Sequence, residues 1–279
     1  MRALTLTLTG ILMLAPMVVA CGDDDAKDDD AGEDDTVEDA DDGGDDGGDA
    51  GDDGDAGDDG GAGTPAGVVH VTTSDGVDLV ADWLPASEPG RPAILLLHMI
   101  PPSWDRSSWP DAFITTLHAH DWSVLVLDRR GAGDSGGDAR DAYEGEGGKL
   151  DVIAAAAFLS DEGAGSFGII GASNGTTSML DYVVEVGDGG PLVPTALGFM
   201  TGGSYTENQN AMEGAAAIGV PAVFTYSTAE RSWSVSQESL NPGGWSFLEY
   251  GEGDHGTKMF AAAPEVSADL DGFFAGALE

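Results

Sequence analysis

The sequence is short of cysteine and of basic residues, and both shortages narrow its possible functions. Its 279 residues include one cysteine, Cys21, and only 10 lysines and arginines against 51 acidic residues. A single cysteine forms no intramolecular disulfide, so an exported domain has to depend on its hydrophobic core for stability. The formal net charge of −41 argues against nucleic acid as a partner and against docking on anionic lipid through a basic patch.

The first twenty residues have the composition of an export signal. A short basic start, Met1-Arg2, precedes the apolar run Ala3–Val19, and Val18-Val19-Ala20-Cys21 follows. This ending resembles the lipobox of bacterial lipoproteins, which implies cleavage before Cys21 and acylation of its thiol. An ordinary secretory signal and an uncleaved N-terminal anchor are the alternatives. The resemblance predicts a cell-envelope lipoprotein, on the periplasmic or extracellular face, that contacts the membrane only through its N-terminal lipid.

Residues Gly22–Gly63 form a low-complexity tract of aspartate, glycine and alanine. The tract carries 21 acidic residues and one basic residue, Lys27, and it has no aromatic residue. Such a segment buries too little apolar surface to offset its loss of conformational entropy, and its like charges repel one another. We predict a signal over residues 1–20, an acylated, disordered tether over 21–63 and one domain over 64–279. The domain has 30 acidic and 8 basic residues, a net charge near −22.

Hydrophobic patterns in the predicted domain alternate between strand and helix. The run Ala93–Leu97 is continuously apolar, which is typical of a strand buried on both faces. A hairpin followed by alternating strands and helices predicts the α/β class, with a mostly parallel, doubly wound sheet and helices on both faces. Reactive groups then belong at the carboxyl ends of the strands. The predicted strands are Val68–Thr73, Val77–Trp83, Ala93–Leu97, Trp122–Leu127, Phe167–Ile170, Thr195–Met200, Ala222–Tyr226 and Ser246–Tyr250, and the predicted helices are Pro110–His120, Leu150–Leu159, Thr176–Val186, Asn210–Ile218 and Lys258–Leu278.

A serine lies on the predicted turn between a buried strand and a helix, in Gly171-Ala172-Ser173-Asn174-Gly175. A G-x-S-x-G turn in that context exposes the serine Oγ at the edge of a sheet. The glycines are needed because a Cβ at either position would collide with the neighbouring strand or helix. Ser173 is therefore the predicted nucleophile.

The pattern also occurs in Gly133-Asp134-Ser135-Gly136-Gly137, which matches the G-D-S-G-G signature of chymotrypsin-like proteases. Those enzymes need two β-barrels with the histidine and aspartate upstream, and about seventy residues of predicted domain precede Ser135, which is too few. A polar, glycine-rich loop, rather than a helix, is predicted after Ser135. We interpret Ser135 as a turn residue.

A serine needs an imidazole to take its proton and a carboxylate to hold that imidazole in the right tautomer. His255 follows the last predicted strand in a glycine-rich loop, which suits a general base that reaches over a nucleophile. Glu230 follows the strand Ala222–Tyr226 and is the predicted acid. Glu207, after the preceding strand, is its rival, and Asp254 is too close to His255 along the chain.

Acyl transfer also needs two donors aimed at the developing oxyanion. The backbone N–H of Asn174, directly after the nucleophile, is predicted to be one of them. The other is expected from the loop after Ala93–Leu97, with Ile100 N–H as the first choice and Met99 N–H as the second. Nothing in the sequence indicates a metal or an organic cofactor.

Together these motifs resemble the α/β-hydrolase family across Val68–Glu279. His98-Met99-Ile100-Pro101 stands where that family has H-G-x-P or H-E-x-F, and the segment from Asp128 to Ser135 matches its D-x-R-G-x-G-x-S loop. Ser173, Glu230 and His255 follow the family's order of nucleophile, acid and histidine. Met99 replaces the usual glycine, and Glu230 replaces the commoner aspartate.

The resemblance implies a serine hydrolase that cleaves a small-molecule carboxylic ester through an acyl-enzyme. About twenty residues separate Met200 from Val220, which is too few for a cap domain, so the chain is similar to the lidless carboxylesterases and dienelactone-hydrolase-like enzymes. Trp104 and Trp109 either line a substrate pocket or pack in the core. A peptidase, a thioesterase and a non-catalytic surface-binding lipoprotein are the alternatives, and the sequence does not indicate an oligomeric state.

Overall fold

The computed structural model describes residues 63–187, 193–205 and 219–279. The predicted signal, the predicted tether as far as residue 62 (including Cys21), the helix Asn210–Ile218 and Glu207 lie outside the described residues. Within the described ranges, every helix is too short or too polar to cross a bilayer.

The strands and helices follow the predicted order. Residue bounds agree to within two positions for each predicted strand and for the helices at Asp111–His118 and Gly175–Val186. The strands are β1 (Gly67–Thr72), β2 (Asp78–Leu84), β3 (Ala93–Leu97), β4 (Ser123–Leu127), β5 (Phe167–Ala172), β6 (Ala196–Met200), β7 (Ala222–Ser227) and β8 (Trp245–Tyr250), and the helices are α1 (Asp111–His118), α2 (Ala139–Glu144), α3 (Gly147–Asp161), α4 (Gly175–Val186), α5 (Arg231–Ser236), α6 (Met259–Ala262) and α7 (Glu265–Leu278).

The strands form one sheet in the order β1-β2-β4-β3-β5-β6-β7-β8. β2 runs antiparallel to β1 and β4, and all other neighbours are parallel. The strand order reverses at β3, because β4 is placed on one side of it and β5 on the other. The carboxyl ends of β3 and β5 therefore lie side by side, with Leu97 opposite Gly171. Doubly wound sheets bind their ligands at such a point.

Helices cover both faces of the sheet, as predicted for a doubly wound fold. Alternate side chains of β3 enter two separate cores, Leu95 and Leu97 in one and Ile94 and Leu96 in the other. α3 and α4 pack in the first core, and α1 and α7 pack in the second. The helix residues in the first core include Val152, Leu159, Leu180 and Val183, and those in the second include Phe113, Leu117, Val266, Leu270 and Phe274.

Two predictions of helical structure are wrong. The single closing helix Lys258–Leu278 is divided into α6 and α7, because Pro264 lacks an N–H and the residue before a proline avoids the helical conformation. The loop predicted after Ser135 contains α2, which begins at Ala139 after the side chain of Asp138 accepts a hydrogen bond from Arg140 N–H. α2 is short and polar, so it has no apolar periodicity to indicate it.

Candidate active site

The turn between β5 and α4 holds Ser173 in a left-handed backbone conformation, with φ of +50°. Gly171 and Gly175 flank it where a side chain has no space. A Cβ on Gly171 would lie 2.8 Å from the backbone of Gly175, and a Cβ on Gly175 would lie 2.5 Å from the carbonyl oxygen of Leu97. The two glycines thus allow α4 to begin directly against the end of β3, and the strained turn presents the serine at that junction.

Ser173, His255 and Glu230 form one chain of hydrogen bonds. Ser173 Oγ lies 2.7 Å from His255 Nε2, and His255 Nδ1 lies 2.7 Å from Glu230 Oε1. A carboxylate only accepts, so Nδ1 carries the hydrogen and donates it to Glu230, which leaves Nε2 free to accept from the Ser173 hydroxyl. Ser173 is 4% exposed, whereas the side chains of His255 and Glu230 are 33% and 38% exposed. The arrangement is able to remove the hydroxyl proton of Ser173.

Hydrogen bonds and ion pairs distinguish Glu230 from the other charged residues near His255. Asp254 Oδ1 accepts a hydrogen bond from the backbone N–H of His255 at 2.7 Å, so it does not buttress the imidazole. Arg231, beside the predicted acid, pairs with Glu249 at 3.5 Å rather than with Glu230.

A hydrogen bond holds the β8 loop (Gly251–Gly256), which carries His255, against the end of β6. Gly256 N–H donates to Thr201 Oγ1 at 2.8 Å, and Thr201 N–H donates to the carbonyl oxygen of Thr225 at 2.8 Å. Ser173 N–H donates to Met200 O at 2.9 Å, one residue before Thr201. The nucleophile and the base are therefore both held by consecutive residues of one strand end. Sequence reasoning missed Thr201, and the only signal for it in the sequence is a threonine directly after a predicted strand.

The β3 loop (His98–Pro102) supplies the second predicted oxyanion donor. His98 is fully buried and accepts Arg129 N–H on Nε2 at 2.9 Å, so its Nδ1 is protonated and donates to Met99 O at 2.8 Å. Burial, with the nearby charge of Arg129, lowers the pKa of His98 to about 3, which keeps the ring neutral. The backbone N–H groups of Met99 and Ile100 find no acceptor among the described residues. Both remain predicted donors, together with Asn174 N–H.

Exposed hydrophobic side chains occur on segments that belong to the site. Ile100 and Tyr205 are two of the large hydrophobic side chains that the surface exposes, and the ring centroid of Tyr205 is 6.2 Å from that of His255. Trp104 is half-buried, with Lys258 Nζ 5.3 Å from its ring centroid. Trp109 is 2% exposed and packs against Phe113 and Phe260, so it belongs to the core rather than to a pocket.

The second G-x-S-x-G sequence has a different environment. Ser135 Oγ donates to Asp128 O at 2.7 Å and accepts Val80 N–H at 2.8 Å, which fixes the loop after β4 against β2. No histidine contacts it among the described residues. Its hydroxyl is therefore occupied by backbone groups, as expected of a turn residue.

The described residues contain no cluster of three or more histidine, cysteine, aspartate or glutamate side chains that could hold a metal ion. The other three histidines, His70, His118 and His120, form no hydrogen bond with Ser173 or Glu230 among the described residues. His70 pairs with Asp78 on β2, and His120 stacks on Trp122 and contacts Asp271.

Solved structures resemble this chain, although no family model and no curated protein matches its sequence. The esterase Pf2001 of Pyrococcus furiosus is 18% identical with a TM-score of 0.60, over 77% of this chain and 94% of that chain. The esterase RhEst1 of a Rhodococcus species is 14% identical with a TM-score of 0.62, over 75% and 99% of the two chains. A dienelactone hydrolase of Anabaena variabilis is 14% identical with a TM-score of 0.59, over 77% and 99%. The predicted fold class is confirmed: the chain has the α/β-hydrolase fold.

Proposed function

We propose that this protein is a serine hydrolase that cleaves a carboxylic ester through an acyl-enzyme. The observation that carries the proposal is the pair of 2.7 Å contacts from His255, one to Ser173 Oγ and one to Glu230 Oε1, at the point where the strand order reverses. A purely binding protein has no need of all three groups in hydrogen-bond contact. Two solved structures with this fold are named esterases, and a third is named a dienelactone hydrolase, which favours an ester as the substrate class.

The reaction follows from the assigned hydrogen positions. His255 Nε2 takes the proton of Ser173 as Oγ attacks the ester carbonyl carbon, and Glu230 stabilises the imidazolium that forms. The carbonyl oxygen becomes an oxyanion in front of Asn174 N–H and of Ile100 or Met99 N–H. The tetrahedral intermediate then collapses, and His255 gives its proton to the departing alcohol. Water attacks the acyl-Ser173 ester with the same base, releasing the acid and restoring the serine.

Exposed hydrophobic side chains on the loops of the site favour a substrate with an apolar acyl or alcohol group. Ile100 in the β3 loop and Tyr205, whose ring centroid is 6.2 Å from that of His255, both expose hydrophobic surface, and exposed apolar surface commonly marks a ligand-binding site. A thioester or an amide could enter the same surface, so the class of bond has to be measured.

We further propose that the enzyme is anchored outside the cytoplasm by lipid on Cys21. The sequence Val18-Val19-Ala20-Cys21 supports this, and so does the highly charged tract that follows it, which is suited to act as a spacer. Mass spectrometry of the mature N-terminus tests it. A diacylglyceryl group on Cys21 is the expected result, and an N-terminus beyond Cys21 or an intact signal would overturn it.

The catalytic proposal is tested by p-nitrophenyl acetate and butyrate hydrolysis and by labelling with a fluorophosphonate. Ser173→Ala is expected to lose both turnover and label, with turnover reduced by about 10³-fold or more. Ser135→Ala is the control, because the same atom is removed from the second G-x-S-x-G sequence, and it should keep kcat even where its unfolding midpoint falls.

The other outcomes assign different functions. Turnover of amide or thioester substrates with little ester hydrolysis would identify a peptidase or thioesterase. A folded wild type that neither hydrolyses esters nor takes up the fluorophosphonate would overturn the enzyme proposal and favour a binding scaffold.

A further inference from the structure

Arg129 is a fully buried arginine, two residues after the end of β4. It occupies the variable position of the D-x-R-G-x-G-x-S loop, so the family pattern gives it no role. Burial lowers the pKa of Arg129 to about 10, which leaves the guanidinium protonated at neutral pH. A charge in such a place is retained only where hydrogen bonds compensate its loss of hydration.

The Arg129 side chain donates to five oxygens, and four of them belong to the two segments that carry the predicted oxyanion donors. Among the described residues they are carbonyl, amide and hydroxyl oxygens, and none is a carboxylate. Nη1 donates to the β3 loop, and Nη2 donates to the start of α4 and to α2. The distances are 3.2 Å from Nη1 to Met99 O, 3.4 Å from Nη1 to His98 O, 2.9 Å from Nη2 to Asn174 Oδ1, 2.7 Å from Nη2 to Ser178 Oγ and 3.1 Å from Nη2 to Ala142 O.

These contacts set the direction of backbone N–H groups. In a planar trans peptide, the C=O of one residue and the N–H of the next point in opposite directions. A donor that fixes Met99 O therefore also fixes Ile100 N–H, which must point away from Arg129, and the contact to His98 O does the same for Met99 N–H. A cation at the carbonyl end also polarises each peptide group, so that its N–H becomes a better donor.

The other side of the same guanidinium holds the residue that carries the first donor. Asn174 Oδ1 accepts from Nη2, while Asn174 Nδ2 donates to Thr177 Oγ1 at 3.1 Å. The side chain of Asn174 is thus fixed at both ends, directly beside its own backbone N–H. Preorganised donors stabilise a developing charge because they need no reorganisation during the reaction.

We propose that Arg129 is the positioning residue of the oxyanion site: it joins the β3 loop to the start of α4 and so aligns donors from both. It acts through Met99, Ile100 and Asn174 and does not touch the substrate. The inference rests on the proposed hydrolase function. It assigns Arg129 a role in aligning the oxyanion donors, which an arginine that only stabilises the fold does not have.

Arg130 provides a matched structural control in the neighbouring position. Arg130 is 1% exposed and, like Arg129, is held by several hydrogen bonds. Its partners, however, are carboxylates: Asp75, Asp141 and Asp151. Among the described residues, no residue of the β3 loop or of the start of α4 forms a hydrogen bond or ion pair with Arg130. Arg130→Lys should lower stability without changing the chemistry per active site.

The kinetic test compares Arg129→Lys and Arg130→Lys on the full chain, with active sites counted by the end point of fluorophosphonate labelling. In Arg129→Lys, kcat per labelled site should fall about 10- to 100-fold while KM changes less than about threefold. The affinity for a trifluoromethyl ketone, whose adduct with the serine mimics the oxyanion, should fall by the same factor as kcat/KM. Arg130→Lys should keep kcat per labelled site within about twofold.

Ser178→Ala removes one acceptor of Arg129 and no charge. It should show a smaller loss of kcat in the same direction, and it replaces Arg129→Lys as the test if that variant does not fold.

Hydrogen exchange tests the link itself without any turnover. In Arg129→Lys, exchange of the backbone N–H groups should accelerate together in peptides covering 93–100 and 173–178, and Arg130→Lys should leave both unchanged. Unchanged exchange in Arg129→Lys, a kcat per labelled site within twofold of wild type, or a loss confined to KM would overturn the proposal. A wild type without turnover but with coupled exchange would instead count against the hydrolase function alone.

Discussion

Met99 Sδ lies 2.2 Å from the point where a Cβ on Gly256 would be placed. Gly256 follows the predicted base, His255, and it has a positive φ of +54°. The methionine that replaces the usual glycine of the β3 loop thus fills space that only a glycine in the β8 loop leaves open. The two loops are matched to each other, and substitutions in them should not act independently.

Gly256→Ala should lower the free energy of unfolding by about 1–3 kcal/mol, from the left-handed backbone and from displacement of Met99. Its kcat should fall as well, because the shift moves His255. Met99→Ala removes the obstructing sulfur, so the double variant should be more stable than the two single losses predict, by about 0.5–3 kcal/mol. Urea unfolding of the four proteins measures this coupling, and strictly additive losses would contradict the contact.

Gly175→Ala tests the close approach of α4 to β3. The added Cβ would lie 2.5 Å from Leu97 O and 2.7 Å from His98 O, both of them backbone atoms that cannot rotate away. The free energy of unfolding should fall by about 1–3 kcal/mol or more, with loss of ester hydrolysis. Gly272→Ala is the matched control: it lies in the middle of α7 with no atom within 4 Å of the added Cβ, and it should gain about 0.5–1 kcal/mol. Equal changes in the free energy of unfolding for Gly175→Ala and Gly272→Ala would show that the close approach of Gly175 to Leu97 and His98 does not determine stability.

The fold could be predicted from the sequence because its strands are local signals. Ala93–Leu97 is apolar at every position and is buried at every position, and its neighbours in the chain end it sharply. A hairpin followed by alternating strands and helices is then compatible with only a few sheet topologies. Short polar helices such as α2 and α5 gave no such signal, because they lack an apolar period.

The site was less accessible to sequence reasoning than the fold. Ser173, Glu230 and His255 follow strands, so the sheet brings them together and their type and order indicate them. Arg129, by contrast, is not indicated by its place in the chain, because its hydrogen-bond partners are 13 to 49 residues away along the chain. The sequence around it does not indicate these partners, and the adjacent Arg130 makes ion pairs instead. A role that arises from long-range contacts becomes visible only in the folded protein.

Asp181 on α4 predicts a pH dependence of stability. Burial raises the pKa of its carboxyl to about 7, with Glu146 adding to the rise and Lys149 opposing it. The unfolded chain has the ordinary value of about 4, so between about pH 4 and 7 the folded state binds more protons than the unfolded state. The stability from the neutral carboxyl is therefore present below that window and is lost as pH rises through about 7.

Asp181→Asn stays neutral and should escape this loss. Its free energy of unfolding relative to wild type should increase from pH 5 to pH 8, as measured by urea unfolding at unit steps. Asp161→Asn, an exposed aspartate at the end of α3, controls for the removal of one negative charge and should show a smaller change over the same range. A difference between Asp181→Asn and wild type that does not vary with pH would show that the carboxyl is not the titrating group.

Glu230 is a longer acid than the aspartate usual in the family, and its length is matched to the distance it spans. Oε1 reaches His255 Nδ1 at 2.7 Å, so shortening the side chain by one methylene should open this hydrogen bond. Glu230→Gln offers the imidazole an amide that no longer stabilises the imidazolium and that permits the wrong tautomer. We expect kcat to fall by about 10²- to 10⁴-fold in Glu230→Gln, and by a smaller factor in Glu230→Asp, with KM little changed. Glu249→Gln on β8 is the matched control, since Glu249 contacts Thr228 and Arg231 but not the histidine, and it should retain the wild-type rate. Wild-type turnover in Glu230→Gln would exclude Glu230 as the acid and would direct attention to Glu207.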